Sequence, residues 1–365
     1  MSEVSSDQPG SAMRLTRSPA ACLMVVAALL LVLASCGEQA ESAGAESASG
    51  AHVTLRLGYF PNVTHATALV GVEQGIFADA LGDGVTLETS TFNAGGQAIA
   101  ALFAGAIDAS YIGPNPAING VAKSDGAALR IVSGATSGGA FLVVRPDVTS
   151  PADLAGTVIA SPALGNTQDV ALRTWLQHNG LSADESGGGD VSIRPQENAA
   201  TLDAFKAGDI AGGWVPEPWA TRLIQEGGGK VLVDERDLWP DGRYVTTHLI
   251  VATAFLDEHP DVVKRLLEGH VEATGLVNDD PAVAQRVAND QIEAITQKRM
   301  DADVLAAAWT NLTFTDDPVA TSLQTSADAA IAIGLLDAVD LTGIYALDLL
   351  NEVLTEAGRP TVTGI

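Results

Sequence analysis

Five short stretches carry the residues that could do chemistry in this chain: GYFPNVTHA (58–66), YIGPNPA (111–117), SGATSGGA (133–140), PALGNTQD (162–169) and WVPEPWA (214–220). Each follows an apolar run and reads as the exit of a strand into a helix. The first N–H groups of a helix lack partners within it and sit at the positive end of its dipole, so such exits hold anions without any formal charge. Gly138 and Gly139 let backbone approach a ligand closely. Asn166 and Thr167 either cap the helix that follows, the ordinary use of those residue types, or donate to a ligand. Asn115 stands between Pro114 and Pro116, which remove two backbone donors; it is the cap of the next helix or a polar contact to the ligand.

None of the five stretches contains Lys or Arg. A doubly charged phosphate or a dicarboxylate is usually clamped by Arg. Neutral donors instead suit a singly charged anion such as a sulfonate or nitrate, or a neutral or zwitterionic ligand. Glu217 is an acid in this setting. It is either a first-turn residue favoured by the helix dipole or the partner of an amino or guanidinium group on a ligand. Trp214, at a strand end, stacks on a ligand or packs, and Trp219 reads as packing. His65 and His248 lie near strand exits, but no His pair has metal spacing, and neither a P-loop nor a Gly-x-Ser-x-Gly elbow is present. Neither a cofactor nor a metal is expected.

The elements that must position these stretches alternate. Strands are expected at Val53–Phe60, Val85–Phe92, Ala109–Ile112, Leu129–Ser133 and Phe141–Val144, with helices between them, including Ala98–Phe103. The pattern restarts near Arg145 with strands at Val158–Ala160, Val191–Ile193, Ala211–Val215, Val231–Val233 and Val245–Val251. Beyond Leu256 the chain reads as helix, with Pro260, Pro281 and Pro318 near helix starts. This is a mostly parallel α/β architecture. One internal echo stands out: ALFAGAIDASYIGPNPA (101–117) and AFKAGDIAGGWVPEPWA (204–220) align at an offset of 103. Each is helix, Gly turn, buried strand, aromatic, Pro-rich exit and next helix. Two lobes carrying this unit once each would face their exits into one cleft, since ligands of open α/β sheets bind beyond the carboxyl ends of the strands.

Whole-chain quantities narrow the class. There are 365 residues, with 19 Lys plus Arg against 45 Asp plus Glu, a net charge of −26. That length suits two lobes. The charge excludes a basic nucleic-acid footprint and argues against electrostatic docking on anionic lipid. Ala20–Ser35 is an apolar run of 16 residues preceded by Arg14 and Arg17, short for a membrane span and suited to the core of a signal peptide. The acidic residues before Met13 are unusual for a leader, and Met13 is the expected start. The run ends in Leu33-Ala34-Ser35-Cys36-Gly37, which resembles a bacterial lipobox with Cys36 as the lipidated residue. The only other cysteine is Cys22, so the mature chain is expected to hold no disulfide and no cysteine nucleophile. Residues 37–51 are small, polar and acidic and read as a disordered tether.

With the lipobox, the order LRLGYFPNVTHA, ALFAGAIDASYIGPNPAI, VIASPALGNTQDVALRTWL, AFKAGDIAGGWVPEPWA and VTTHLIV resembles the solute-binding proteins of ABC importers, in the nitrate, sulfonate and taurine branch. The resemblance covers about 53 to 300. It implies a type II periplasmic-binding-protein fold, two α/β lobes with a hinge that closes on the ligand. The expected division is a signal peptide 1–35, a tether 36–52, a first lobe 53–145 with 246–365, and a second lobe 146–245. The crossings are then near Val144–Asp147 and Val245–His248. The resemblance places Asn62, Thr64, His65, Gly113, Asn115, Ser137, Gly138, Asn166, Thr167, Trp214 and Glu217 at the ligand, with closure between Tyr111 and Trp214. WVPEPW departs from the Asp-containing loop of some sulfonate binders, which leaves the solute open. The implied protein is a monomeric, lipid-anchored, extracytoplasmic receptor that captures a small anion, makes no covalent change and serves an ABC permease and its ATPase. The alternatives are a binder of a cationic or vitamin-like molecule through Glu217, and an enzyme on the same fold.

Overall fold

A computed structural model describes residues 52–365; the apolar leader, Cys36 and the tether through residue 51 lie outside them. Eleven strands form two sheets: β1 Val53–Tyr59, β2 Val85–Thr91, β3 Ala109–Ile112, β4 Leu129–Gly138, β5 Ala140–Val144, β6 Val158–Ser161, β7 Ser192–Pro195, β8 Gly212–Pro216, β9 Lys230–Asp234, β10 Val245–Ala252 and β11 Leu312–Phe314. The first sheet runs β11-β4-β10-β3-β1-β2 and the second β7-β6-β8-β5-β9. Set β11 aside and the two orders correspond strand for strand: β2-β1-β3-β10-β4 against β7-β6-β8-β5-β9. The directions correspond as well. β1 is parallel to β2 and β3, and β10 is antiparallel to β3 and β4; β6 is parallel to β7 and β8, and β5 is antiparallel to β8 and β9.

The echo in the sequence is therefore a repeated unit in the fold. Helix Gly95–Phe103 leads through β3 to helix Pro114–Lys123, and helix Asn198–Ala207 leads through β8 to helix Trp219–Gln225. Gly105 and Gly208, at matching positions, both take positive φ (66° and 82°), which a side chain would resist at a helix C-terminus. Both central strands are buried on both faces, so they read as unbroken apolar runs. Successive side chains then alternate between two core layers. Tyr111 joins the layer with Leu55 and Val263, and Ile112 the one with Ile118. Trp214 joins the layer with Leu172, and Val215 the one with Phe205.

Four expectations change here. Phe141–Val144, assigned to the first lobe, pairs in the second sheet as part of β5. The chain crosses at Gly138-Gly139, not at Val144–Asp147. Both glycines have positive φ (79° and 74°), a sharp turn that only glycine makes without strain. SGATSGGA is consequently not an exit into a helix: it is the end of β4 and the crossing itself. The chain returns between Asp234 and Val245, ahead of the expected span, because Val245–Ala252 is already paired with β3 and β4. The long helices Pro260–Asp279 and Pro281–Thr296 and the last helix, Asp348–Glu356, pack on the first sheet. Among the described residues no helix is long and apolar enough to cross a membrane.

Candidate functional site

A cavity of about 120 Å³ lies where the strand exits of the two sheets meet. It is walled by the segments after β1, β2 and β3 on one side and after β6, β7 and β8 on the other. Open α/β sheets offer ligand sites at this end of their strands. The volume is below the roughly 300–1,000 Å³ of sites for drug-sized molecules, so the occupant is a small one.

The repeat lines the cavity at matching positions. Gly113 and Pro116 come from the first unit, Pro216 and Trp219 from the second; each pair is offset by 103 in the sequence. Gly113 is needed because a Cβ there would stand 2.7 Å from Thr167 Oγ1 across the cleft. The indole Nε1–H of Trp219 donates to Asn62 Oδ1 at 3.0 Å, and Asn93 Nδ2 donates to Glu197 Oε1 at 3.1 Å. Both bonds link one lobe to the other. Asn93 follows β2 and Glu197 follows β7, strands that occupy the same place in the two orders.

The donors are neutral. The lining contains no Lys or Arg and one acid, Glu197. Helix Thr167–His178 starts at the wall, where Thr167 and Gln168 have N–H groups without a partner inside the helix. Helices Gly95–Phe103 and Asn198–Ala207 begin there as well, with Gly95, Asn198 and Ala199 on the wall. His65 is buried, which pushes its pKa down to about 3 and keeps the ring neutral. Its Nδ1 accepts the Phe60 N–H at 3.4 Å, and its ring stacks on Phe60 with centroids 4.5 Å apart. Nδ1 as acceptor leaves the proton on Nε2, a donor with no formal charge. Asn62 Nδ2 donates to Thr64 Oγ1 at 3.3 Å, and Thr136 Oγ1 donates to the Thr64 carbonyl at 2.7 Å, which fixes this loop on the sheet. Asn198 Oδ1 is buried without a hydrogen-bond partner.

Of the residues expected at the ligand, Asn62, Thr64, His65, Gly113, Asn166 and Thr167 line the cavity. Five others are elsewhere. Asn115 is buried and donates from Nδ2 to the Ser326 carbonyl at 3.2 Å, away from the cleft. Ser137 and Gly138 are strand residues paired with β11, and the Gly138 carbonyl accepts from Thr246 Oγ1 at 2.6 Å. Trp214 is fully buried, with Nε1 donating to Glu235 Oε2 at 2.7 Å; the pleat of β8 turns it into the core. Tyr111, its counterpart, is likewise buried, and its hydroxyl meets His270 Nδ1 at 2.7 Å. Glu217 accepts from Thr221 N–H (3.1 Å), Thr221 Oγ1 (2.9 Å) and Asn311 Nδ2 (2.7 Å). It caps helix Trp219–Gln225 and ties it to the segment before β11, and burial raises its pKa. The tryptophan roles are thus the reverse of those expected: Trp219 faces the cleft and Trp214 packs. The residues not foreseen, Phe92, Asn93, Gly95, Glu197 and Asn198 among them, come from the exits after β2 and β7. FNAGG (92–96) and QENAA (196–200) were the available signal, each a break of small and amide side chains after a strand.

The taurine-binding periplasmic protein of Escherichia coli K12 is 27% identical over 190 residues, 52% of this chain and 57% of that protein; the chain thus matches a little over half of that relative's length. The alkanesulfonate-binding protein SsuA of Xanthomonas axonopodis pv. citri, solved with MOPS, superposes with a TM-score of 0.67 at 20% identity, covering 80% of this chain and 98% of that one. The desulfurization enzyme DszB shares the fold at a TM-score of 0.59 and 20% identity, over 83% of this chain and 99% of that one, so the fold by itself does not decide between binding and turnover. The sequence match that does bear on kinship spans residues 49–290, more than half of the chain, and by it this chain belongs to the NMT1-like family.

Proposed function

We propose that this protein is an extracytoplasmic solute-binding protein that captures a small organic sulfonate, or an anion of similar charge such as nitrate, and delivers it unchanged to an ABC importer. The observation that carries the reading is the cavity of about 120 Å³ between two matching exits, walled by helix starts and neutral donors with no Lys or Arg. A singly charged anion gains from several N–H groups and helix dipoles, and the bonds Trp219–Asn62 and Asn93–Glu197 hold the lobes closed around it. Kinship to a taurine-binding protein supports the same class. Anchoring through a lipid on Cys36, a monomeric state and partnership with a permease and its ATPase belong to this reading and rest on the sequence.

Glu197 and the unpaired Asn198 Oδ1 favour a sharper version, in which the ligand carries an amino group at the end away from the sulfonate. Beside its bond to Asn93, Glu197 keeps a second carboxylate oxygen; with Asn198 Oδ1 it suits an ammonium, and a plain alkanesulfonate leaves both of these acceptors unused. Glu217 is engaged with Thr221 and Asn311, so the reading in which it receives a cationic ligand has lost its residue. An enzymatic reading gains nothing from the Ser133, His270 and Asp316 cluster: all three are buried, and Ser133 Oγ (3.0 Å) and Asp316 Oδ1 (3.4 Å) both face the same nitrogen, His270 Nε2. A nucleophile–base–orienter chain needs them on opposite nitrogens. Calorimetry with taurine, ethanesulfonate and nitrate tests the proposal. Taurine is expected to bind at least about tenfold more tightly than ethanesulfonate, a difference of about 1.4 kcal/mol, and Glu197→Gln to erase the preference. Failure of all three to bind would remove the anion assignment.

A further inference from the structure

A second cavity, of about 220 Å³, lies behind the first and is also shared by the two lobes. Thr167 lines both. The first lobe contributes Asn115, Ser326 and Ala329, and the second contributes Val170, Trp175, Glu235 and Trp239. Two features mark it as more than a packing defect. Its walls are largely apolar and include two indole rings, Trp175 and Trp239. At its wall sits a carboxyl group, Glu235, that is 1% exposed and has no cationic partner among the described residues; the neighbouring Arg236 pairs with Asp234 at 2.5 Å instead. Glu235 accepts the Trp214 indole N–H at 2.7 Å, which leaves lone pairs unused. Thr174 Oγ1, also on the wall, is buried with no partner.

Buried acids are ordinarily paired, and an ammonium between aromatic faces gains cation–π attraction as well. We propose that this rear cavity is a second binding site, for a small apolar primary amine whose ring or chain lies against Trp175 and Trp239 and whose ammonium pairs with Glu235. Because its walls come from both lobes, an occupant favours the closed arrangement. Its binding is then coupled to that of the cleft ligand, and the coupling is reciprocal. Burial lifts Glu235 to about 7, against the hydrogen bond from the Trp214 indole. At neutral pH the group is therefore partly protonated, and pairing with an ammonium releases that proton.

Benzylamine is the probe, titrated into protein freed of any cleft ligand, so that the result does not depend on the cleft assignment. Tryptophan fluorescence and calorimetry in two buffers of different ionisation enthalpy are expected to show sub-millimolar binding at pH 7 with net proton release. Glu235→Gln, which keeps the acceptor for Trp214, is expected to weaken benzylamine at least about tenfold and leave benzyl alcohol unchanged. Ala329→Phe fills the cavity and is expected to abolish both. Saturating taurine is then expected to raise benzylamine affinity by the same factor that saturating benzylamine raises taurine affinity. No binding up to about 10 mM, or binding that Glu235→Gln and Ala329→Phe leave intact and that taurine displaces, would overturn the proposal.

Discussion

The exits YIGPNPA and WVPEPWA come from one repeated unit, yet they present different chemistry to the cleft. Positions i and i+3 line the cavity in both: Gly113 with Pro116, and Pro216 with Trp219. The positions between face away. There the first exit has Pro114 and Asn115, the latter pinned to Ser326, and the second has Glu217 and Pro218, the former pinned to Thr221 and Asn311. The most polar side chain of each exit therefore fastens the helix start, and the least polar positions line the cavity. What the first exit gives the site is space, through Gly113. What the second gives is a wall and a latch, through Trp219. The lesson is that a polar residue in a loop is a poor guide to the cleft when a helix must begin beside it, since the orphan N–H and carbonyl groups there need partners first.

The largest effect expected from breaking this comparison is at Gly113. Gly113→Val puts side-chain atoms against Thr167 across the cleft and is expected to lower ligand affinity at least about a hundredfold (about 2.8 kcal/mol), with the thermal unfolding midpoint little changed. Pro216→Ala, at the matching position, is expected to lie within about threefold of the parent. Calorimetry and unfolding on the two variants would show whether the asymmetry is real.

The tryptophans come next. Trp219→Phe removes the donor to Asn62 and is expected to weaken ligand binding about tenfold while leaving stability nearly unchanged. Trp214→Phe is expected to do the reverse: it leaves Glu235 without its indole donor, costs about 1–3 kcal/mol of stability and leaves affinity within about twofold. Equal effects of the two on binding would erase the distinction between wall and core.

Smaller effects are expected at the two polar fasteners. Asn115→Ala and Glu217→Gln each should cost about 1 kcal/mol of stability and change affinity for sulfonates or for cations by less than about threefold. Denaturant titration alongside calorimetry measures both quantities on one preparation.

The smallest effect on affinity is that of pH. His65, at about 3, stays neutral from pH 5 to 8, so ligand affinity is expected to be flat across that range. Stability is not. Burial raises Glu235 to about 7, above the unfolded value of about 4.3. The folded state then holds a proton that the unfolded chain releases, and this contribution is full below about pH 4 and lost as pH rises through 7. Glu235→Gln is expected to raise the unfolding midpoint relative to the parent at pH 8 and to leave it nearly unchanged at about pH 4.

Much of the fold was legible because its signals are local and strong. The buried runs Ala109–Ile112 and Val245–Val251, the glycine stops at Gly105 and Gly208, and the prolines opening the helices Pro260–Asp279 and Pro281–Thr296 each follow from backbone chemistry. The crossing at Gly138-Gly139 was missed because an apolar strand continues directly on its far side and nothing local says which sheet it joins. Leu312–Phe314 was missed because three residues carry no periodicity. The site was half legible. Loop position revealed Asn62, Thr64, His65, Asn166 and Thr167, but not which face of each exit turns inward. That choice is made by long-range packing: β3 and β8 are covered on both faces, so Tyr111 and Trp214, two residues before the exits, are taken up by core layers that the local sequence does not reveal.

A crystal structure of the protein with taurine tests the central claim most directly. The account predicts the sulfonate between Gly113 and Trp219, held by the N–H groups of Thr167 and Gln168 and by His65, with the amino group toward Glu197 and no arginine or lysine within hydrogen-bond reach. A ligand seated against Trp214, Glu217 or Asn115, or a taurine-free cleft at saturating concentration, would contradict it.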